Sequence, residues 1–406
     1  MPVQGLEQRW QQRFAAFPWS IAVTLPDGHQ FLLGQQQTHW YPEPLRVHLH
    51  SRAAVTDFDR LNGLRLVDRY LHQEIDLDGN FHILTAVKAF VPFRLSLWQL
   101  LRACVQHHAF QNIRRARVNV RSHYDISQTL LEQYLDVRYM AYSCAMFEDT
   151  TLSEACLPDL LRPGQGAADT YDSLEKAQWR KFKDGVDFVA PAPGETLLDV
   201  GCGYGGQLEV ALDAHPFGKV VGWTHSSNQI KKGTQLLAAH DPERWELNEG
   251  DYRQDDRIYD HITSTGMICH VGPRGLVPYV RHIRRHIRQG GRYVHHCLMA
   301  DYSAQPLDRQ VGVAFNKRYV WPGFHWFTLG EHVRVLERNG FRVLRTQNLR
   351  TQYAKTLTAW YQRFLQHRDE MAAQMGEPSF RAWRLYLGGG ASTYSGDINR
   401  IYCVAI

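Results

Sequence analysis

Long apolar runs are missing from this chain of 406 residues. Its most apolar-rich stretch, Phe81–Leu95, is broken by His82, Lys88 and Arg94, well short of the ~18–20 uninterrupted apolar residues of a membrane-spanning helix. Cysteine is sparse: seven in all, an odd number with no C-x-x-C pair, which excludes a disulfide framework or a zinc ribbon and reads as reduced thiols. The first ten residues, Met1 to Trp10, lack the basic patch and apolar run of a secretory leader, so a cytoplasmic location is expected. Charge of one sign is lacking as well, with 46 Lys+Arg against 41 Asp+Glu; that balance permits anionic partners without naming one, and no nucleic-acid partner is expected. Internal repeats and low-complexity tracts are absent. What is present, 44% hydrophobic and 12% aromatic residues, is enough to build a large core in two domains or in one with an extension.

Two regions differ in pattern. Ser20–Gly34 reads as two strands about a Pro26-Asp27-Gly28 turn, a hairpin signature. With a further β-like stretch at Arg46–His50 and a turn at Asp76–Asn80, residues 1–105 are expected to form a small mixed α+β domain. Arg114, Arg115, Arg117 and Arg121 concentrate charge in a connecting stretch read as a solvated linker. Residues 106–185 then read as a helical lid or linker. From Thr196 onward, short apolar strands alternate with helical segments, the signature of a doubly wound parallel sheet. The strand candidates are Thr196–Val200, Val220–Trp223, His261–Thr265 and Arg292–Leu298, with Phe341–Arg345 and Arg400–Ile406 helping to complete seven strands. Leu276, Val280, Ile283 and Ile287 fall at helical spacing, Arg281, Arg284, Arg285 and Arg288 take the other faces, and Gly290-Gly291 ends the element. That basic face is read as solvated, with membrane contact as the alternative.

Asp199-Val200-Gly201-Cys202-Gly203-Tyr204-Gly205-Gly206 is a strand entering a glycine turn that satisfies G-x-G-x-x-G, where missing side chains let backbone approach a ligand. A dinucleotide site wants an acidic residue at the end of the next strand. Here that strand ends in Thr224, followed by Gln229, neutral hydrogen-bonding groups. Asp199 two residues before the first glycine, together with Asp251 and Tyr252 before the third strand candidate, fits S-adenosylmethionine instead. Cys202 inside the turn is read as a small buried filler.

Beyond the turn, the motifs Ser122-His123-Tyr124-Asp125, Tyr142-Ser143-Cys144-Ala145, Glu175-Lys176-Ala177-Gln178, Gly266–Gly272 and Tyr353–Tyr361 follow one another over about residues 121 to 390. In this order they resemble the cyclopropane-fatty-acyl-phospholipid synthases and related S-adenosylmethionine-dependent methyltransferases. The resemblance implies a seven-stranded Rossmann-like α/β domain, an N-terminal lipid-docking domain, and cofactor contacts from Tyr142, Ser143, Asp199, Gly201, Gly203, Gly205, Thr224, Gln229, Asp251 and Tyr252. It implies methyl transfer to the double bond of a phospholipid acyl chain at the inner membrane face, proton loss, and ring closure; peripheral membrane contact and a homodimer are both compatible with it.

Such chemistry needs an aligned alkene, excluded water and a stabilised carbocation, for which Tyr142, Phe147, Tyr319, Trp321, Phe324, Trp326, Tyr353, Trp360 and Tyr361 offer aromatic faces. In the family a bicarbonate ion takes the proton, and its pocket maps to Cys144, Cys269, His296, Leu298 and Tyr353. The family's glutamate is Cys269 here, and three readings of it stay open: bicarbonate held by the remaining residues, the thiol itself as base, or a cation quenched to a methyl-branched or methylene chain. His123 is read as a lid residue or a packing residue, and His295 as an ordinary sheet residue facing away from His296. Cys269, His270, His296 and Cys297 include zinc-ligand types, but alternation along a strand turns neighbours to opposite faces, so no metal is expected. Methylation of a soluble metabolite and a catalytically inactive lipid-binding relative are the competing readings.

Overall fold

The computed structural model describes residues 3–36, 43–81, 83–84, 87, 91, 128–148, 173–300, 315–320, 325–393 and 396–406. The Arg114–Arg121 stretch, the Ser122–Asp125 motif, Trp321 and Phe324 lie outside them.

Near the N-terminus a four-stranded sheet, in the order β2-β1-β3-β4, is formed by β1 (Ile21–Thr24), β2 (Gln30–Leu33), β3 (Leu45–Leu49) and β4 (Ile75–Gly79). β1 and β2 make the expected hairpin, with Ile21 opposite Leu33. Its turn is fixed by Gly28 in the left-handed region (φ 86°) and by the Asp27 carboxylate accepting the His29 N–H. Alternate residues Ile21, Val23, Leu45, Val47, Ile75 and Leu77 are buried, and α1 (Val3–Arg13), α2 (Arg52–Asp59) and α3 (Gly63–Leu71) complete this part of the chain. Trp10 joins helix to helix, its ring 4.5 Å from Phe58 and its Nε1–H donating to Asp59. The Asp76–Asn80 turn is a correction: Asp76 to Gly79 belong to β4, paired antiparallel with β3. The aspartates point outward from a strand whose Ile75 and Leu77 carry the apolar alternation, and only at Gly79 does the chain turn.

The second sheet has seven strands in the order β10-β11-β9-β8-β5-β6-β7. They are β5 (Thr196–Val200), β6 (Lys219–Thr224), β7 (Trp245–Glu249), β8 (His261–Thr265), β9 (Arg292–Ala300), β10 (Phe341–Asn348) and β11 (Gly396–Ala405). β5 to β9 run parallel, while β11 lies antiparallel to both β9 and β10. The α/β class and the seven strands agree with expectation. β7 is the strand that sequence reading missed, because Trp-Glu-Leu-Asn-Glu at a half-exposed sheet edge carries charge where an interior strand would carry alternating apolar residues.

Helices cover both faces. α4 (Gln128–Tyr134) precedes them; α5 (Leu174–Val189), α6 (Gly206–Ala214) and α7 (Ser227–Leu237) lie on one side, and α8 (Leu276–His286) and α9 (Leu329–Arg338) on the other. α10 (Arg350–Gln366), α11 (Arg368–Met375) and α12 (Glu377–Thr393) form a helical cluster joined to the N-terminal sheet. Arg381 of α12 donates to the Ile75 carbonyl and to Asp76.

α8 is the expected amphipathic helix, but it ends at His286 rather than at Gly290-Gly291: Ile287 turns extended, the Tyr259 N–H donates to the His286 carbonyl and the Arg288 N–H to the Tyr259 carbonyl. Its basic face is exposed at Arg281, Arg285 and Arg288, as read, while three of its four arginines also bond within the molecule. Arg281 donates to Asn339, Arg284 to the carbonyls of Gly340 and Ile406, and Arg288 pairs with Glu195 and Asp260.

Candidate functional site

The chain leaves β5 to build β6 and β7 on one side and returns for β8 and β9 on the other, which makes the carboxyl end of β5 the switch point where open α/β sheets bind ligands. A pocket opens there. Tyr142, Gly201, Gly203, Thr224, Gln229, Asp251 and Tyr252 line it, joined by Trp223, His225, Arg253, Gly266, Met267, His270 and Tyr279 among others. Of the sequence-predicted cofactor residues, Ser143, Asp199 and Gly205 stand behind the lining. Gly201 has φ 79°, and a Cβ there would come within 2.9 Å of Met267, so the turn is tight enough that only glycine fits it without strain. Gly205 (φ 85°) forms the N-cap of α6.

Hydrogen-bonding groups are arranged around this opening. Thr224 donates its hydroxyl to Gln229. Burial alone would push the Asp251 carboxyl up, but hydrogen bonds from Arg253 (2.6 and 2.7 Å) and His225 outweigh it and hold that carboxyl well below the usual range. Asp251 is therefore an anionic acceptor at the pocket wall. Asp199 differs: burial drives it up to about 7 against the Thr263 hydroxyl bonded to it at 2.8 Å and the nearby Lys181. Burial also drives His270 down to about 4, so its ring is neutral.

Three separated motifs converge behind the pocket. Lys181 of α5 donates to Ser143 Oγ (2.8 Å) and Gln178 Oε1 (2.6 Å), and Gln178 donates to the Ala141 and Ser143 carbonyls. From α10, Thr356 Oγ1 accepts the Ala145 N–H and Gln352 Oε1 accepts the Phe147 N–H. Residues 141–147 are thus clamped between two helices, which presents Tyr142 to the pocket and turns Cys144 into the interior. Tyr142 stacks on Trp360 with ring centroids 5.0 Å apart and planes 3° from parallel, and Tyr134 and Tyr353 meet Trp360 edge-on. Phe147, Tyr319, Trp326, Tyr353 and Tyr361 pack in or against this core, and Tyr142 is the ring of that expected set that also lines the pocket.

The residues expected around the reacting carbon share one buried neighbourhood. Cys144 packs with Leu298 and Tyr353 and feels Lys181 and Arg400; Tyr353 in turn feels Cys144 and Cys269. Burial pushes both thiols up to about 12, so both are protonated, Cys144 bonding the Ala145 carbonyl and Cys269 the Gly266 carbonyl at 3.0 Å. His296 accepts at Nδ1 from Arg400 (3.1 and 3.2 Å), and burial, then Arg400 and Lys181, keep its ring neutral. Its Nε2 is buried without a hydrogen-bond partner among the described residues. Arg400 also donates to Asp184 (2.6 Å) and the Lys181 carbonyl.

Lys181 and Arg400 were missed in the sequence. For Lys181 a signal exists: Leu174, Ala177, Gln178, Lys181, Phe182 and Gly185 trace the buried stripe of α5, and a lysine inside such a stripe needs a partner. Cys202 is the buried filler expected, its Sγ 2.7 Å from where a Cβ on Gly222 would stand. His295 faces away from His296, as alternation requires, but it is no ordinary sheet residue. It meets Tyr293, Cys297 and His332 on the far side of β9.

Comparison with known proteins agrees with this geometry. Residues 111–404 match the family described as mycolic acid cyclopropane synthetase. A probable fatty acid methyltransferase of Pseudomonas putida is 33% identical over 290 residues, 70% of this chain and 68% of that protein. The cyclopropane-fatty-acyl-phospholipid synthase of Escherichia coli K12 is 28% identical over 284 residues, 70% and 66% of the two chains. Against two Mycobacterium tuberculosis relatives, a probable fatty acid methyltransferase and a tuberculostearic acid methyltransferase, the match spans less than two thirds of their length, 57% and 61%. Among solved structures, mycolic acid cyclopropane synthase CmaA1 complexed with SAH and CTAB superposes with a TM-score of 0.62 at 26% identity, over 71% of this chain and 98% of that one. The chain belongs to the mycolic acid cyclopropane synthetase family of S-adenosylmethionine-dependent methyltransferases.

Proposed function

We propose that this protein transfers the methyl group of S-adenosylmethionine to the double bond of an unsaturated phospholipid acyl chain, giving a cyclopropane or a methyl-branched or methylene chain. The observation that carries this reading is the double placement of Tyr142, which lines the cofactor pocket on one side and stacks into the Trp360 aromatic cluster on the other. An electron-rich ring at that junction suits a cation that develops between cofactor and acceptor.

The residues present fit the cofactor: a turn too tight for a side chain at Gly201, hydrogen-bonding groups on Thr224 and Gln229, and an ionised Asp251. When bound, S-adenosylmethionine supplies an electrophilic sulfonium methyl. Lys181 and Gln178 act as positioning residues by fixing the backbone that carries Tyr142. Cys269 enters as a neutral thiol, which disfavours it as the base. The neighbourhood fits bicarbonate in another way: Arg400, joined by Lys181 when that amine is protonated, creates a cationic field, and His296 Nε2 is a buried polar atom in need of a partner. A bicarbonate held there would supply the proton acceptor that ring closure needs, with Cys144, Cys269, His296 and Tyr353 around it. On the same reading, residues 1–105 dock the protein to the cytoplasmic membrane surface; among the described residues no helix is long and apolar enough to cross a bilayer.

The test is expression in a bacterium stripped of its own cyclopropane synthase, followed by proton NMR and mass spectrometry of the acyl chains. High-field ring protons are expected if bicarbonate chemistry survives Cys269, and vinylic methyl or exocyclic methylene signals if the cation is quenched otherwise. Unaltered lipids with cofactor consumed on a soluble acceptor would overturn the lipid assignment.

A further inference from the structure

On the face of β9 that points away from Lys181 and Arg400, three nitrogen and sulfur groups converge. His295 Nε2 lies 3.2 Å from His332 Nδ1 and 3.4 Å from Cys297 Sγ, and that sulfur lies 3.7 Å from His332 Nε2. One ligand atom from each of the three residues falls within 4.8 Å of the others, and all three side chains are buried. We propose that His295, Cys297 and His332 form a zinc site that ties α9 to β9 of the seven-stranded sheet.

The geometry favours this over a fortuitous cluster in three respects. With Zn–N of about 2.0–2.1 Å and Zn–S of about 2.3 Å, the edges of a tetrahedron around zinc are about 3.3 Å for N···N and about 3.6 Å for N···S; with His332 ligating through Nδ1, the two separations from His295 Nε2, 3.2 Å to that nitrogen and 3.4 Å to Cys297 Sγ, lie close to these edges, and one atom from each of the three residues falls within 4.8 Å of the others. The donors, two imidazoles and one thiol, are the borderline-soft set that zinc prefers over magnesium or calcium. The outer shell is in place as well. His295 Nδ1 lies 2.8 Å from the Tyr293 hydroxyl, which lies 3.0 Å from that of Tyr279, the kind of contact that fixes tautomer and ring orientation in a ligating histidine. Burial keeps His295 and His332 neutral, as ligation requires, and the Cys297 proton would be released as the metal binds. Three protein ligands leave the fourth position to a water molecule.

Strand alternation explains how the sequence hides this. His295 and Cys297 are two residues apart on β9 and so share a face, whereas His296 between them cannot join; the third ligand comes from α9, 35 residues beyond Cys297. Loop spacings of the zinc-ribbon type do not describe such a set.

The experiment uses the full chain without a metal-affinity tag, produced in zinc-supplemented medium and dialysed, with metal content read by plasma mass spectrometry. About one zinc per chain is expected, and reconstitution with cobalt should give a thiolate-to-cobalt charge-transfer band. Cys297→Ala and His332→Ala should each reduce the content to below about 0.1 per chain, while Cys403→Ala, a buried cysteine of the same core outside the cluster, should retain it. Should the ligand variants fail to fold, the wild type still decides: a chelator should lower its melting midpoint and zinc restore it. Less than about 0.1 zinc per chain after reconstitution, no cobalt–thiolate band, or zinc content unchanged in both folded ligand variants overturns the proposal.

Discussion

The two faces of β9 put chemically similar residues to different uses. Toward α5, His296 sits with Arg400, Lys181 and Asp184 in a buried, charged strip that continues to Ser143 and so to the wall of the cofactor pocket. Toward α8 and α9, His295 sits with Tyr293, Cys297 and His332, a neutral group in an apolar core. Neighbouring histidines thus have opposite surroundings, set by the two-residue period of a strand. On the charged face each group depends on the charge of another; on the neutral face the groups depend on shape and hydrogen bonds. The first arrangement suits orienting an anion or a cation in a reaction, the second holding elements together.

If that distinction is right, the largest stability loss follows from breaking the charged face. Arg400 is 1% exposed and serves Asp184, His296 and the Lys181 carbonyl together. Arg400→Met should cost about 3 kcal/mol in a urea melt, because it strips the buried His296 imidazole of its donor and Asp184 of one of three partners, Tyr402 and Arg345 remaining on that carboxylate. A loss below about 1 kcal/mol would mean the strip carries no more than ordinary hydrogen bonds.

Lys181→Met sharpens the comparison through pH. Burial lowers Lys181 from 10.5 to about 7, so between those values the unfolded chain binds more protons than the folded one. The contribution of Lys181 to stability is therefore present above pH 10.5 and is lost as pH falls through about 7. Wild-type stability should rise with pH from 7 to 9 more steeply than that of Lys181→Met, by at most about 1.4 kcal/mol per pH unit. Parallel slopes in denaturant melts at pH 7, 8 and 9 would show that Lys181 is solvated as an ordinary lysine.

Much of this architecture was legible from the sequence because it rests on local periodicity. The Ser20–Gly34 hairpin, the strands flanking the glycine turn and the apolar stripe of α8 each repeat a two- or 3.6-residue pattern that burial rewards. The turn itself was legible because Gly201 has no substitute at that φ. What escaped depends on tertiary convergence. β7 hid because an edge strand tolerates Glu246 and Glu249. Arg400 hid because its three partners come from α5 and β9, more than a hundred residues upstream, and His332 because nothing near it in the chain announces His295. The basic face of α8 stays exposed at Arg281, Arg285 and Arg288, as the pattern implies; what the pattern does not show is that Gly340, Ile406, Glu195 and Asp260 come alongside Arg284 and Arg288.

The smallest effect is expected on the neutral face. Tyr293→Phe removes one hydroxyl from between Tyr279 and His295 and leaves the ring packed against Phe341 at 5.5 Å. Stability should fall by about 1 kcal/mol, the usual worth of a buried hydrogen bond between uncharged groups. Its effect on metal should be larger in proportion, since losing an outer partner of a ligating histidine weakens affinity by about 10–100-fold; competition with a chromophoric zinc chelator measures it. Because Tyr293 is not a ligand, the variant should still load zinc fully at high concentration, which separates weakened affinity from a lost site. A loss of stability as large as that of Arg400→Met would erase the contrast between the faces. Zinc affinity equal to wild type would show that Tyr293 does not orient His295, and the neutral face would then reduce to apolar packing around its three donors.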